Sequence, residues 1–369
     1  MKVLHLLGAT EDNGGILSTI RGLSSAGADL GLEHAVWVQQ NFVQVRSPSL
    51  RYLRSRHALD ESFNHFQLAY RAWKSSSELM SQLAAEPFAV LHAHSRGSFL
   101  VALIVAYRLR RPVLFTNHTY ANRQGMYRWG AARKRLRTVL LTPRMAQHYG
   151  LTPELNRIEL IPECCADRCF ELPLRSDVQS SQKPVRLIGV GNLVRWKKWD
   201  LLIRALANVS AERRRHIILE IWGPIPNQPD ALEYARELQQ LIQSHQLETT
   251  VYLRGSTNDV AAQLHQAHIF VLPSTNEPCS VALLEALAQG LPALVSDSGG
   301  NVDIVRHGQT GWHFRADNLY SLSHSLESIT ENSVPQFSPI EIRDSVRRYS
   351  AKQVSSDYLK VYQGLTRPS

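Results

Sequence analysis

Short apolar runs alternate with amphipathic segments along most of the chain, and this alternation constrains the fold more than any other feature. The apolar runs of the first half predict strands at Lys2–Leu7, Glu33–Val38, Phe88–His92, Pro112–Thr116, Thr138–Leu141 and Ile158–Ile161. The segments between them predict helices at Ile16–Ser25, Glu61–Leu83, Phe99–Arg108 and Pro143–Tyr149. Because buried parallel strands are short, apolar and joined by helices, the pattern predicts an α/β fold with a doubly wound parallel sheet.

The alternation stops near Phe170 and then restarts, which predicts a second domain of the same kind. Glu171–Pro184 is polar and reads as a linker. After it, strands are predicted at Val185–Val190, Ile217–Trp222, Thr250–Leu253, Ile269–Leu272 and Ala293–Ser296. Helices are predicted at Asp200–Val209, Ala231–Ser244, Val260–Gln266, Val281–Gln289, Asn318–Ile329 and Ala351–Gln363. We therefore predict an N-terminal Rossmann-like domain at 1–172, a second one at 173–345, and a helical segment at 346–369 that crosses back to the first. A cleft between the carboxyl ends of the two sheets is the expected ligand site.

The composition is that of a globular protein, with 369 residues, 44% hydrophobic and 20% charged. The N-terminal run is too short for a secretory signal, because His5 interrupts it and Gly8 ends it. The apolar stretch Ser98–Tyr107 is about half the length of a spanning helix. These features predict a cytoplasmic protein. The four cysteines match no zinc spacing, so we expect reduced structural thiols and no metal site.

The net charge of +9 is unevenly placed. Residues 1–170 hold 21 Lys and Arg against 12 Asp and Glu, whereas residues 171–369 are balanced. The densest basic part comprises Arg108, Arg110, Arg111, Arg128, Arg133, Lys134, Arg135 and Arg137. Such a surface attracts phosphates of lipids, nucleic acids or substrates, but a solvated positive face without a ligand is equally compatible with it. A nucleic-acid binder is disfavoured, because no recognition motif accompanies the charge.

The segment Asn276–Pro292 carries the strongest local signal for chemistry. A predicted strand leads into a turn that opens a helix, whose first amides have no intrahelical partners and carry partial positive charge. The hydroxyl of Ser280 can cap that helix, or it can face a phosphate together with the amides of Cys279 and Val281. Two carboxylates, Glu277 and Glu285, can accept paired hydrogen bonds from sugar hydroxyls, or they can be surface charges.

This segment resembles the E-x7-E signature of the GT4 family of retaining glycosyltransferases, which have the GT-B fold. Glu277 and Glu285 keep the spacing, and Glu285–Pro292 matches the small-residue helix that ends in Gly-x-Pro. The resemblance implies that Glu277 lies at the donor sugar as a catalytic residue. It also implies that Glu285 contacts the ribose of the donor.

A second motif, Gly189–Leu202, is similar to the loop of the same family that binds the donor phosphates. Lys197 takes the position of the phosphate-binding lysine, and Lys198 replaces the usual glycine. Asn192 stands where an arginine is usual, so we expect Arg195 to supply the missing guanidinium, with Lys198 as the alternative basic group. A diphosphate leaving group needs such positive charge for its stabilisation.

The remaining matches are weaker. Gly14 and Gly15 resemble the glycine-rich first loop, which reaches the donor phosphates or the acceptor. His118 and His94 follow two consecutive predicted strands, and the resemblance places His118 at the reacting sugar and His94 on the acceptor side. Arg254 would edge the base pocket. Glu163 stands in place of the asparagine that the family carries after its Ile-Pro.

The resemblance implies transfer of a sugar, with retention, from a nucleotide diphosphate sugar such as a UDP-hexose. It implies a saccharide or lipid-linked acceptor, in polysaccharide or glycolipid biosynthesis, and no cofactor or metal. The basic first half fits peripheral attachment to an anionic membrane at the inner face. Two alternatives stay open: a sugar-nucleotide epimerase of the same fold, and a non-catalytic protein that binds nucleic acid or membrane.

Overall fold

A computed structural model of the chain describes residues 1–11, 14–44, 50–59, 65–152, 157–174, 184–331 and 337–366. The chain forms two compact units. Unit 1 comprises Met1–Asp167 and Tyr349–Ser369, and unit 2 comprises Arg168–Arg348. Most of the predicted linker, residues 175–183, lies outside the described residues, as do residues 61–64 of one predicted helix.

Unit 1 is built on a parallel sheet of seven strands in the order β3-β2-β1-β4-β5-β6-β7. The strands are β1 (Lys2–Leu6), β2 (Glu33–Val38), β3 (Arg51–Arg54), β4 (Val90–Ala93), β5 (Val113–Asn117), β6 (Leu136–Leu140) and β7 (Ile158–Leu160). The helices are α1 (Gly15–Gly27), α2 (His65–Ala85), α3 (Arg96–Arg108), α4 (Gly125–Ala131) and α5 (Pro143–Tyr149). The strand order reverses direction at β1, so the carboxyl ends of β1 and β4 form the switch point of this sheet.

Unit 2 repeats the arrangement with six parallel strands in the order β10-β9-β8-β11-β12-β13. The strands are β8 (Val185–Val190), β9 (Ile217–Trp222), β10 (Val251–Gly255), β11 (Ile269–Leu272), β12 (Ala293–Ser296) and β13 (Gly311–Phe314). The helices are α6 (Arg168–Glu171), α7 (Trp199–Ala207), α8 (Ala211–Arg214), α9 (Pro229–Ser244), α10 (Val260–Gln266), α11 (Val281–Ala288), α12 (Asn301–Ile304), α13 (Leu319–Glu331) and α14 (Pro339–Ser345). The predicted fold class, two doubly wound α/β domains, is therefore confirmed.

The last helix, α15 (Ala351–Thr366), belongs to unit 1 and packs on it. Its apolar face contributes Val354, Tyr358 and Tyr362 to a core that also holds Val3 of β1 and Val90 of β4. Buried tyrosine rings contribute large apolar areas, so this contact stabilises the packing of the C-terminal helix against the first strand of the chain. No helix among the described residues is both long and apolar enough to cross a bilayer.

The boundaries between the units differ slightly from the predicted ones. The amide of Cys165 donates to the carbonyl of Tyr349, and the amide of Ala351 donates to the carbonyl of Cys165. The segment that leaves unit 1 and the segment that returns to it are therefore hydrogen-bonded to each other. The next residues already belong to unit 2, because Arg343 donates to the carbonyl of Leu172 at 2.6 Å. Unit 1 therefore ends at Asp167 rather than at residue 172, and the chain returns to it at Tyr349 rather than at residue 346.

The sequence pattern missed two strands, β3 and β13. Both are edge strands of their sheets, and their central residues are only partly buried. Edge strands do not need the continuous apolar run that marks a strand buried on both faces. Arg51 and Arg54 in β3 are exposed at its ends, so this segment carries no apolar signal.

Candidate functional site

A buried ion pair joins the two loops of unit 2 that the sequence analysis singled out. Lys197 Nζ lies 2.7 Å from Glu277 Oε2, and both side chains are at most 10% exposed. Lys197 ends a short 3-10 turn after β8, and Glu277 follows β11. Since β8 and β11 are adjacent parallel strands, their carboxyl ends bring the two loops together. Thr275 N also donates to Trp196 O across the loops at 3.3 Å.

The turn that carries Glu277 is held tightly. Ser274 Oγ donates to Glu277 Oε2 at 3.0 Å, the same oxygen that binds Lys197. The amide of Gly300 donates to the carbonyl of Glu277 at 2.7 Å. Gly299 has a φ of +60°, and a Cβ there would lie 2.5 Å from that carbonyl oxygen. Only glycine allows the backbone at position 299 to come so close to the backbone of Glu277. This close packing fixes the turn and thereby positions the Glu277 carboxylate.

Helix α11 begins directly after this turn. Ser280 is its N-cap, and its hydroxyl accepts from the amide of Leu283 at 3.3 Å. The structure therefore uses this hydroxyl as a cap, which was one of the two interpretations of its sequence. Cys279 and Val281 are buried at the helix start, and Glu285 is half-buried further along the helix.

Arg195 lies in the same loop as Lys197 but binds elsewhere. Its guanidinium donates to both oxygens of Glu237 at 2.7 Å and to Asp230 at 2.9 Å, two carboxylates of α9. The hydrogen bonds to Glu237, followed by those to Asp230, raise the pKa of Arg195. The structure thus brings Lys197 and Glu277 together and places Arg195 with α9. A role for Arg195 at a phosphate, as expected from the loss of the usual arginine, stays a prediction.

Three other predicted donor residues have definite surroundings in unit 2. Lys198 has a φ of +58°, the left-handed region, which explains why a glycine is usual at this position. Its ammonium lies 2.8 Å from Asp317. The carbonyl of Asn192 accepts from the indole of Trp199 at 3.1 Å, so its backbone supports α7. Arg254 is paired with Glu220 at 2.6 Å.

The predicted glycine-rich loop of unit 1 borders a cavity of about 250 Å³. Gly14, with a φ of +92°, is the N-cap of α1, and Gly15 is the first residue of the helix. The cavity is lined by Leu7, Gly8, Ala9, Gly14, Gly15, Ile16, Leu17 and Ser95. Its position at the switch point of the sheet and at the start of α1 suits a polar or anionic ligand group.

The two predicted histidines of unit 1 belong to a longer hydrogen-bonded row, which we call the histidine chain: His34, His5, His94, His118 and Glu163. His34 Nδ1 lies 2.8 Å from His5 Nε2, and His5 Nδ1 lies 2.8 Å from His94 Nε2. His94 Nδ1 lies 2.9 Å from His118 Nε2, and His118 Nδ1 lies 2.6 Å from Glu163 Oε1. Both ring nitrogens of His118 are therefore engaged within unit 1.

Burial determines the charge of this region. Desolvation, followed by the neighbouring rings, lowers the pKa of His5, His92 and His94 well below the ordinary histidine value. It also lowers the pKa of His34 to about 4. These four rings are consequently neutral at pH 7.

Nitrogens of His5, His92 and His94 all lie within 4.8 Å of one another, a spacing that could hold a metal ion. Hydrogen bonds already engage both nitrogens of each ring. His5 and His94 are in the histidine chain, and His92 binds Thr116 at 2.7 Å and Tyr362 at 2.9 Å. A metal ion would have to replace several of these bonds.

Comparison with known proteins identifies the family. The model of the glycosyl transferases group 1 matches residues 173–353, and that of glycosyltransferase family 4 matches residues 13–162. The chain belongs to the group 1 glycosyl transferases. The resemblance seen in the sequence motifs is thereby confirmed, and the family is one of transferase enzymes.

Individual relatives of this group 1 member are distant. The putative colanic acid biosynthesis glycosyltransferase WcaL of Escherichia coli K12 is 26% identical over 156 residues, which is 38% of each chain. The N-acetyl-alpha-D-glucosaminyl L-malate synthase of Bacillus anthracis is 23% identical over 196 residues, or 53% of this chain and 49% of that protein. The aligned regions thus span less than half the length of these curated relatives.

Solved structures match over the full length. The crystal structure of Anabaena HepE in complex with UDP-glucose has a TM-score of 0.75 and 16% identity, and the match covers 99% of this chain and 100% of that one. The crystal structure of WaaG, a glycosyltransferase involved in lipopolysaccharide biosynthesis, has a TM-score of 0.73. At this identity the likeness shows the fold alone, which is GT-B.

Proposed function

We propose that this group 1 family member transfers a sugar from a nucleotide diphosphate sugar, and that unit 2 binds the donor. The buried Lys197–Glu277 pair at the carboxyl edge of the unit 2 sheet carries the proposal, because the family motifs and the geometry point to the same two residues. Glu277 takes one of the three N–H donors of the Lys197 ammonium. The other two remain for a phosphate.

A UDP-hexose is the proposed donor. HepE, which shares the fold, binds UDP-glucose, and this supports the choice. As the diphosphate leaves, negative charge develops beside Lys197 and the first amides of α11. Glu277 Oε2 holds Lys197 and Ser274, which leaves Oε1 to accept from a sugar hydroxyl. We propose retention of configuration, with the acceptor attacking from the face that the diphosphate vacates and without a metal ion.

The acceptor is proposed to be a saccharide or a lipid-linked saccharide, in the synthesis of a polysaccharide or glycolipid. The names of WcaL and WaaG refer to two such pathways. His94 and His118 belong to unit 1, the half that the family resemblance assigns to the acceptor. His118 is proposed as the residue of unit 1 nearest to the reaction.

Binding of the donor can be tested by thermal unfolding with UDP, GDP and ADP. A nucleotide at 100 times its Kd stabilises the folded state by about 2.7 kcal/mol. We expect a shift because the diphosphate adds a partner for the Lys197 ammonium, and we expect UDP to give the largest one because a UDP-hexose is the proposed donor. The variant Lys197→Met should lose the shift, whereas Arg215→Met, which replaces an exposed cation of unit 2, should keep it. An equal UDP shift in both variants would contradict the proposed phosphate site.

Peripheral attachment to an anionic bilayer is supported by three exposed aromatic rings of unit 1, each with an arginine over it. Trp73, Tyr107 and Trp129 are 49%, 46% and 48% exposed. Arg108 lies over Trp73, Arg135 over Tyr107 and Arg133 over Trp129, with guanidinium-to-ring distances of 6.0, 5.5 and 4.2 Å. We call these six residues the aromatic–arginine surface. Aromatic rings prefer the membrane interface, and arginines there are attracted to anionic headgroups.

We expect the protein to sediment with vesicles that contain phosphatidylglycerol, and less with vesicles of phosphatidylcholine alone. Binding should weaken as salt rises, because the Debye length shortens. The double variant Trp73→Ala and Trp129→Ala should reduce binding several-fold. Tyr320→Ala, which removes an aromatic ring that is 81% exposed on unit 2, should not. Lack of binding to these vesicles at low salt would contradict a lipid partner. So would RNA that binds the protein at a lower concentration than anionic vesicles do and displaces it from them.

A further inference from the structure

The histidine chain crosses the sheet of unit 1 and ends on a carboxylate. His34 lies in β2 and His5 in β1, while His94 follows β4 and His118 follows β5. These four strands are neighbours in the sheet, so each ring meets the next one across a strand boundary. Glu163, beyond β7, is 4% exposed and closes the row.

The carboxylate sets the direction of every hydrogen bond in the chain. An ionised carboxylate only accepts, and a neutral imidazole donates from one nitrogen and accepts at the other. With Glu163 taken as a carboxylate and His118 as a neutral ring, His118 donates to Glu163 from Nδ1 and accepts at Nε2 from the Nδ1–H of His94. The same rule continues through His5 to His34. All four rings are therefore in the Nδ1–H tautomer, and one consistent set of donors satisfies the row.

The two ends of the chain differ from its interior. Every nitrogen between them has a partner, whereas Glu163 Oε2 and His34 Nε2 are buried and have no hydrogen-bond partner among the described residues. Buried polar atoms without partners are costly, so their place at the two ends needs an explanation. They belong to the two terminal groups of the row, so a proton that enters or leaves the row must do so at one of its ends.

We propose that the histidine chain is a proton relay between His34 Nε2 and Glu163, in which the four rings change tautomer together. When His34 Nε2 gains a proton, each ring passes its Nδ1 proton to Nε2 of the next, and His118 passes its proton to Glu163 Oε1. The product is four Nε2–H rings and a neutral carboxylic acid. One proton has been gained, and the reverse sequence releases it at His34.

Burial supports this assignment, because the lowered pKa values of His5, His34 and His94 keep these rings neutral and able both to donate and to accept. If the proposed function holds, four residues are positioning residues that act through His118: His34, His5, His94 and Glu163. They decide which of its nitrogens carries a proton. Glu163 stands where the family has an asparagine, so this chain gains a carboxylate at the end of the row.

The test is a measurement of ring tautomers in the full-length protein labelled with 15N at histidine. Long-range 1H–15N spectra distinguish a protonated ring nitrogen from an unprotonated one. At pH 7.5 we expect His34, His5, His94 and His118 all to be Nδ1–H, with each signal assigned from the variant that lacks it. His245, exposed on unit 2, serves as a control ring. Mixed tautomers among the four rings of the wild-type protein would overturn the relay.

The variant Glu163→Gln tests whether the rings are coupled. An amide can donate as well as accept, so the bias toward Nδ1–H is lost at His118. In a relay the Nδ1–H fraction falls by the same amount at His34, three rings away, while His245 is unchanged. A change confined to His118, or no change in any ring, would overturn the proposal. So would a tightly bound zinc ion whose removal shifts the signals of His5, His92 and His94. None of these readouts requires transferase activity, so they separate this inference from the proposed function.

Discussion

The variant Glu277→Gln is expected to transfer sugar about 10²–10³-fold more slowly than the wild-type protein, the usual loss when one preorganised electrostatic contact to the reacting group is removed. The carboxylate at this position is held by Lys197, by Ser274 and by the backbone approach of Gly299. An amide keeps the shape of the side chain but lacks the charge that would face an electron-deficient sugar. The measurement is kcat with the donor that gives the largest thermal shift.

Loss of stability must be separated from loss of chemistry at this site. Removal of one partner of a buried ion pair leaves the other charge uncompensated and typically costs about 3–5 kcal/mol. Glu277→Leu alone should therefore destabilise unit 2, and the double variant Glu277→Leu with Lys197→Met should recover much of the loss. Activity should stay low in both. Near-normal turnover in any Glu277 variant would contradict its assignment to the donor sugar.

Lowering the pH from 7 to 5.5 is expected to destabilise unit 1 by roughly 4 kcal/mol, or roughly 1 kcal/mol for each of His5, His34, His92 and His94. The folded pKa of each lies below the unfolded value of about 6.5, at about 4 for His34. Below pH 6.5 the unfolded chain thus binds protons that the folded chain does not. The stability is fully present above pH 6.5 and is lost as the pH falls.

Urea unfolding at several pH values measures this effect, because the slope of the free energy of unfolding against pH gives the protons taken up. Near pH 5 the slope should approach four protons from these rings. His34→Gln should lower it by about one, whereas His245→Gln, at an exposed position of unit 2, should leave it unchanged. A free energy of unfolding that is flat between pH 7 and 5.5 would show that these histidines are not buried neutral.

The sequence predicted the strands in the interior of both sheets and the edge strands β7 and β10, but it missed the edge strands β3 and β13. The strand that became β11 is a run of four fully buried apolar residues, and such runs leave a clear pattern. In contrast, β3 is Arg-Tyr-Leu-Arg, and its place in the sheet depends on pairing with β2 rather than on its own composition. The apolar pattern reports burial, so a strand such as β3, with one neighbour and charged residues at both ends, escapes it.

Prediction of the site depended on how far apart in sequence the contacting residues are. Lys197 and Glu277 lie 80 residues apart but sit in motifs that the family marks, so their contact could be expected. The carboxylates that bind Arg195 lie in α9, and no sequence pattern near Arg195 predicts this pairing. His5 and His34 were equally hidden, since a single histidine in an apolar run does not reveal which rings the neighbouring strands bring to it. The sequence feature that pointed to this row of histidines was Glu163, an acidic residue at a position where the family has an asparagine.

The most direct test of the proposed function is transfer of label from donor to acceptor. The purified protein would be incubated with UDP-, GDP- or ADP-sugars, labelled in the sugar, together with a membrane lipid extract and a saccharide mixture. We predict that label moves into one acceptor fraction from one nucleotide family, most strongly UDP, and that Glu277→Gln slows the movement about 10²–10³-fold. Release of UDP with no acceptor present would instead favour the epimerase. Absence of both label transfer and nucleotide release with every donor would contradict the proposal that this chain is an active sugar transferase.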